Sequence, residues 1–122
     1  MPNTIVHFEI PAQDMNRLKD FYSGLFGWKI QAAPGMDDFM MINAAPEGEG
    51  INGALMKKRT PHHSIINYVS VESVADYAEK VIQLGGQVVV PKTAVPRMGH
   101  FALCVDPEGN PVGLWADDPN AA

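Results

Sequence analysis

The chain is poor in cysteine, in basic residues and in long apolar runs, and each shortage excludes a class of protein. Cys104 is the single cysteine, so no intrachain disulfide and no multi-cysteine zinc site can form. The formal net charge is −5, whereas a nucleic-acid-binding protein needs clustered Lys and Arg. No apolar run approaches the roughly 18 residues that span a bilayer. We therefore expect neither a nucleic-acid partner nor a membrane partner.

The length and composition are those of an ordinary globular protein. The 122 residues fit one compact domain, with 46% hydrophobic and 19% charged residues. The first residues, Met1-Pro2-Asn3-Thr4, lack the basic and then apolar segments of a secretory signal. A cytoplasmic protein with a single domain over residues 1–122 is the expectation.

An internal duplication is the main feature that is present. When the chain is shifted by 59 positions, Asp14 aligns with Ser73, Gly27 with Gly86, and 53–56 with 112–115, without a gap. Two copies of about 60 residues are too small to bury separate cores, so we expect them to pack together around a shared cleft. This predicts a first module at 4–57, a linker at 58–63 and a second module at 64–117.

Each half has the hydrophobic pattern of a β-α-β-β-β unit. In the first half, strands are predicted at 5–10, 28–31, 39–43 and 51–56, with a helix between Asp14 and Gly27. In the second half, strands are predicted at 65–71, 87–90, 100–105 and 112–116, with a helix after Ser73. The inner stripes of the helices are predicted to be Met15, Leu18, Phe21 or Tyr22, and Leu25, then Val74, Tyr77, Val81 and Leu84. Residues from Asp117 onward are expected to fray.

Two segments carry the resemblance to a known family. Phe21-Tyr22-Ser23-Gly24-Leu25-Phe26-Gly27-Trp28 ends the first helix, and Asp106-Pro107-Glu108-Gly109-Asn110-Pro111-Val112-Gly113-Leu114-Trp115 forms the last hairpin. With the doubled unit, they resemble the vicinal oxygen chelate (VOC) superfamily, which includes glyoxalase I, extradiol dioxygenases and bleomycin resistance proteins. The resemblance implies an α+β fold in which two tandem βαβββ modules form a curved mixed β-sheet cup. It covers nearly the whole chain but leaves the function open.

The resemblance also implies four positions for metal ligands. Metal-using members hold a divalent ion with one residue early in the first strand and one late in the last strand of each module. In this chain the four positions fall on His7, Ala54, Ile66 and Gly113. Because stable sites of this kind usually need at least three protein ligands, we expect no cofactor, and a divalent metal is the less favoured alternative.

Strand alternation predicts which side chains line the cup. Alternate residues of a strand lie on one face, which gives a mainly apolar wall with a few polar tips, as small-molecule sites usually have. The predicted ligand-binding residues are His7, Glu9, Met56, Tyr68, His100 and Trp115. The remaining predicted lining residues are Ala54, Ile66, Ser70, Ala102, Cys104 and Gly113.

Two functions are compatible with these predicted residues. The first is binding of an apolar or aromatic small molecule without the standard metal set. The second is a glyoxalase-like lyase or dioxygenase-like enzyme in which His7 and Glu9 are catalytic, with a non-standard metal or none. A homodimer is expected in either case, because members with a single pair of modules commonly dimerise. His62 and His63 are expected to be solvent-exposed in the linker, pointing in opposite directions.

Overall fold

The structure is a computed structural model and describes residues 2–122. Its two helices and eight strands follow the order β-α-β-β-β twice, which confirms the predicted α+β class and doubled unit. No helix within residues 2–122 is long and apolar enough to cross a membrane. The elements are β1 Ile5–Ala12, α1 Met15–Phe26, β2 Lys29–Ala32, β3 Phe39–Asn43, β4 Asn52–Lys57, β5 Ile66–Ser70, α2 Val74–Gln83, β6 Gln87–Val95, β7 Gly99–Val105 and β8 Pro111–Asp117.

The first compact unit is His7–Ile65. Its strands have the order β2-β3-β4-β1, with β4 parallel to β1 and antiparallel to β3. Helix α1 covers one face of this sheet through a core centred on Ile10, Ile30, Ile42 and Leu55. Even-numbered residues of β1 therefore face the helix, and His7 and Glu9 lie on the opposite face.

The second compact unit comprises residues 2–6 and Ile66–Ala122. Its strands have the order β5-β8-β7-β6, and the carbonyl of Thr4 accepts a hydrogen bond from the Ser70 N–H at 2.8 Å. Helix α2 packs on one face of this sheet. The core beneath it consists of Val71, Val74, Ala102, Cys104 and Leu114.

Both helices begin at the caps that the sequence predicts, and α1 also ends at its predicted cap. The side chain of Asp14 accepts a hydrogen bond from the Arg17 N–H at 3.1 Å, and that of Ser73 accepts one from the Asp76 N–H at 3.2 Å. Gly27 ends α1 in the left-handed conformation, with φ of 73°. The Asp14 and Ser73 side chains each satisfy a backbone N–H that the first turn of a helix leaves unpaired, and the Gly27 N–H donates to the Ser23 carbonyl at the other end of α1.

The inner stripes of the helices are shorter than predicted. Tyr22 packs against the core, whereas Phe21 and Leu25 are more than half exposed. In α2, Tyr77 and Val81 pack inward, but Leu84 is 79% exposed. The predictions for Leu25 and Leu84 were wrong. Leu25 lies in the last turn of α1, and Leu84 is the residue that follows α2.

The two units share the pairing of their first and last strands. In the first unit Glu9 pairs with Ala54 and Ile10 with Leu55, both in parallel strands. In the second unit Tyr68 pairs with Gly113 and Val69 with Leu114, each 59 residues further along the chain. The predicted equivalence therefore holds at the level of strand register for these four strands.

The equivalence fails at the third strand of each unit. Met41 pairs with Ala54, but the partner of Gly113 is Leu103 rather than His100, which the 59-residue shift predicts. The cause is loop length, since eight residues separate β3 from β4 and five separate β7 from β8. The prediction of a gapless duplication was wrong by three residues here, and an odd shift reverses the face of every side chain in the strand.

The ends of several elements also differ from the prediction. Strand β1 continues through Pro11 to Ala12, and β6 continues through Pro91 to Val95 with irregular pairing to β7. The C-terminal residues do not fray as predicted. The carbonyl of Ala121 accepts a hydrogen bond from the Arg97 N–H at 2.9 Å, and the Ala121 side chain is buried.

Candidate functional site

His7 and Glu9 lie side by side on the face of the first-unit sheet that α1 does not cover. The His7 Nε2 atom is 3.4 Å from the Glu9 Oε2 atom, at the long end of hydrogen-bonding distance. The Glu9 carboxylate is largely buried, and about a third of the His7 side chain is exposed. The predicted proximity of these two side chains is therefore present in the structure.

The residues of β4 and β3 that flank Glu9 on this face are apolar. Its pairing partner Ala54 is fully buried, and Met56, two residues further along β4, is buried too. Across β3, Met41 pairs with Ala54 and Phe39 with Met56, which places both side chains on the same face. A buried carboxylate beside an imidazole, bordered by apolar side chains, is the chemical character of this surface.

His63 is a polar residue near Glu9 that the sequence analysis missed. Its side chain is half-buried rather than solvent-exposed, and its Nδ1 atom accepts a hydrogen bond from the Arg59 N–H at 3.2 Å. Burial and then the charge of Arg59 lower the pKa of His63 below its ordinary value. The Glu9 carboxylate opposes this shift, and Lys58 adds to it. At neutral pH the uncharged form of His63 therefore predominates.

The length of the linker could have predicted that His63 is half-buried. Only eight residues join the end of β4 at Lys57 to the start of β5 at Ile66, so the segment has little room to leave the protein surface. The prediction of an exposed His63 was wrong because a place in the linker does not by itself put a side chain in solvent. His62 is exposed, as predicted.

In the second unit, the aromatic ring of Tyr68 covers Gly113. Tyr68 is 5% exposed and pairs directly with Gly113 across the parallel strands. A Cβ atom on Gly113 would lie 2.2 Å from the Cδ2 atom of Tyr68 and 2.5 Å from its Cε2 atom. Only glycine fits beneath the ring, so the position that carries a metal ligand in the VOC resemblance has no room for any side chain.

Trp115 follows on the same face of β8. Its indole Nε1 donates a hydrogen bond to the Asp117 Oδ1 atom at 2.7 Å. The ring lies over Gly99, where a Cβ atom would be 2.7 Å from the Trp115 Cζ2 atom. The half-buried indole is thus held at one end by a hydrogen bond and along its edge by close packing.

The predicted placement of His100, Ala102 and Cys104 on the face of Gly113 was wrong. Ala102 and Cys104 pack in the core beneath α2, and His100, which alternates with them, pairs with Ala116. The His100 Nδ1 atom lies 3.8 Å from the Asp118 Oδ2 atom. Phe101 and Leu103, paired with Trp115 and Gly113, occupy the face instead. The shorter β7–β8 loop is the signal that could have found them.

The single thiol is a structural residue. Cys104 is fully buried, and burial raises the pKa of its thiol above the ordinary value. A thiol that stays protonated and has no access to solvent is a poor nucleophile and a poor metal ligand.

The residues at the four family positions do not fit a metal. His7 and Ala54 belong to the first unit, Ile66 and Gly113 to the second, and of these only the imidazole can coordinate an ion. The Tyr68 ring occupies the space that a ligand at Gly113 would need. Over residues 2–122, no group of three or more His, Cys, Asp or Glu side chains is placed to hold a metal ion.

The Tyr68–Gly113 contact predicts the outcome of two opposite glycine substitutions. Gly113→Ala should destabilise the chain by about 1–3 kcal/mol, because the new methyl group must displace a buried ring. Gly24→Ala, the matched control in α1, should stabilise it by about 0.5–1 kcal/mol, because nothing lies within 4 Å of the added Cβ atom. Urea unfolding measures both.

A double-mutant cycle tests whether the Tyr68 ring is the cause of the destabilisation by Gly113→Ala. In a Tyr68→Ala background the cost of Gly113→Ala should largely disappear, because the ring that the methyl group meets is gone. Equal stability of Gly113→Ala and the unmodified chain would contradict the close packing. An undiminished cost in the Tyr68→Ala background would assign the effect to another contact.

Comparisons with known proteins agree with this architecture. The family model described as the Glyoxalase/Bleomycin resistance protein/Dioxygenase superfamily matches residues 4–114. A protein of Mycobacterium tuberculosis named "Putative glyoxylase CFP32" is 31% identical over 122 residues, which cover 88% of this chain and 43% of that protein. A "Glyoxylase-like domain-containing protein" of Didymella fabae is 30% identical over 110 residues, covering 84% of each chain.

A solved structure extends the agreement to the whole chain. The hypothetical protein BH1468 from Bacillus halodurans superposes with a TM-score of 0.70 at 15% identity, covering 100% of this chain and 99% of that one. At this identity the likeness shows the fold alone. The chain spans less than half the length of the mycobacterial relative. The family match and the Didymella fabae relative together show that the chain belongs to the glyoxalase/bleomycin resistance protein/dioxygenase (VOC) superfamily.

Proposed function

We propose that this VOC-family chain binds an apolar or aromatic small molecule, without the divalent metal that other members of the superfamily use. The observation that carries the proposal is the replacement of coordinating side chains at Ala54, Ile66 and Gly113. These positions lie on sheet faces with apolar neighbours and a few polar groups. Such surfaces gain affinity from apolar contact and orientation from the polar groups.

The first unit supplies one surface of this kind. Ala54 and Met56 are buried on the face of His7 and Glu9, while Met41 is 56% exposed on the same face. An unbranched methionine side chain adapts to ligands of different shape, and its thioether packs well on aromatic rings. We propose His7, Glu9 and Met56 as ligand-binding residues, with Met41 added by its position.

The second unit supplies an aromatic surface. Tyr68 and Trp115 lie on one face with Phe101 and Leu103. Because the indole N–H of Trp115 already donates to Asp117, the ring can offer its apolar face to a ligand without leaving a polar group unpaired. We propose Tyr68 and Trp115 as ligand-binding residues. His100 does not belong to this surface, because it lies on the sheet face that α2 covers.

The His7–Glu9 pair supports a second candidate function. A carboxylate in apolar surroundings, close to an imidazole, can accept a proton from a substrate and return it elsewhere. In this alternative the chain is a metal-independent lyase or isomerase with His7 and Glu9 as catalytic residues. The names of the two glyoxylase-like relatives favour this class, although the chain spans only part of the mycobacterial one.

Binding of an aromatic ketone tests the first proposal. The purified chain should bind 2-acetylnaphthalene, and EDTA should leave the dissociation constant unchanged because no metal takes part. Met41→Ala should weaken binding by about 3- to 10-fold, the effect of losing part of an apolar contact. Met36→Ala is the matched control, since Met36 is equally exposed but lies in the β2–β3 loop. Isothermal calorimetry measures the dissociation constant in each of these four cases.

Two results would contradict binding at this surface. The first is no detectable binding up to the solubility limit of the ketone. The second is an equal effect of Met41→Ala and Met36→Ala, which would place the ligand elsewhere.

Turnover tests the second candidate. The chain should convert the hemithioacetal of methylglyoxal without added metal, and His7→Ala should lower kcat/KM by about 100-fold or more, as expected for loss of a general acid or base. The exposed His62→Ala is the control and should retain full activity. No turnover, or equal rates for both variants, would reject this candidate.

A further inference from the structure

His63 is held in a fixed position by the turn that contains it. Its backbone N–H donates to the Thr60 carbonyl at 3.1 Å, and its Nδ1 atom accepts from the Arg59 N–H at 3.2 Å. The ring is therefore tied at one nitrogen and the backbone is tied beside it. A half-buried side chain fixed in this way can present its other nitrogen in a defined direction.

The bond from Arg59 also determines the tautomer of the ring. Because Nδ1 accepts a hydrogen bond, the proton of the neutral imidazole must be on Nε2. Burial and the charges of Arg59 and Lys58 keep His63 neutral at neutral pH, against the effect of Glu9. His63 therefore has one N–H group, at Nε2, that can donate a hydrogen bond.

The Nε2–H group is available for an external partner. Among the hydrogen bonds of residues 2–122, His63 takes part through its backbone N–H and through Nδ1, and Nε2 takes part in none. No buried side-chain nitrogen or oxygen within residues 2–122 is without a partner, so Nε2 is accessible to solvent. A ligand oxygen can replace water there at little cost in desolvation.

The electrostatic neighbourhood of His63 restricts the kind of oxygen that it can bind. The Glu9 carboxylate is near enough to act on the His63 ring, and it also lies 3.4 Å from His7. A second negative charge beside a largely buried carboxylate is unfavourable, whereas an uncharged carbonyl oxygen is not repelled. The site therefore favours a neutral acceptor over a carboxylate.

We propose that His63 determines specificity by donating a hydrogen bond from Nε2 to an uncharged carbonyl oxygen of the bound ligand. This inference deepens the proposed binding function and rests on it. It assigns a ligand class, an aromatic or apolar molecule that carries a ketone or aldehyde group, and a residue that neither the family positions nor the linker composition indicate.

A matched set of probes tests the role of His63. 2-Acetylnaphthalene and 2-ethylnaphthalene have nearly the same shape and differ in one carbonyl group, and 2-naphthoate adds a negative charge. The unmodified chain should bind the ketone about 5- to 10-fold more tightly than the hydrocarbon, as one neutral hydrogen bond allows. It should bind the carboxylate more weakly than the ketone.

Two histidine variants then separate recognition from structure. His63→Ala should lower the affinity for the ketone by the same 5- to 10-fold and leave the affinity for the hydrocarbon within about 2-fold. The neighbouring His62→Ala, at an exposed position, should change neither. Equal losses for ketone and hydrocarbon, or no loss for the ketone, would overturn the role of His63 while leaving the proposed binding function intact. Failure of the unmodified chain to bind either probe would overturn both.

A spectroscopic measurement does not depend on how well the variants fold. In the unmodified chain at pH 7, the ¹⁵N spectrum of His63 should show an unprotonated Nδ1 and a protonated Nε2. Glu9→Gln should lower the pKa of His63 further, because the carboxylate that raises it is removed. A proton on Nδ1 at pH 7, or a pKa of His63 that rises in Glu9→Gln, would overturn the assignment.

Discussion

The parallel pairing of the first and last strands in each unit determines which side chains reach the candidate binding surfaces. It sets Glu9 against Ala54 in one unit and Tyr68 against Gly113 in the other. Since side chains alternate along both strands, this register decides which residues lie under the helix and which lie on the opposite face. In the second unit this register also brings the Tyr68 ring onto Gly113, which leaves no space at position 113 for a side chain that could coordinate a metal. This contact therefore supports the proposal that the chain binds an apolar molecule without a metal.

Much of this arrangement could be predicted from the sequence, because the duplication preserves strand register. The predicted caps Asp14, Gly27 and Ser73 are confirmed, and so are the α+β class and the superfamily. The alternation that places His7 beside Glu9 depends only on local pattern, which a sequence states directly. The predicted homodimer and cytoplasmic location stay predictions.

The wrong predictions share one physical cause, the course of short loops and terminal segments. The side-chain pattern of β7 is equally compatible with either face, and only the pairing across a five-residue loop selects one. His63 and the C-terminal residues were misplaced for a related reason, since polarity and proline content describe solvent preference but not where a short segment must run. A backbone N–H fixes the position of each segment. The Arg59 N–H donates to the His63 side chain, and the Arg97 N–H donates to the Ala121 carbonyl.

The metal content of the purified protein decides whether the proposed binding function is independent of a divalent ion. The proposed function depends on apolar and hydrogen-bonding groups because three of the four family ligand positions hold Ala54, Ile66 and Gly113. Untagged protein, purified without chelator and analysed by plasma mass spectrometry, should contain far less than one equivalent of Ni, Co, Mn, Fe or Zn. One equivalent of any of these ions, lost in His7→Ala, would contradict the account.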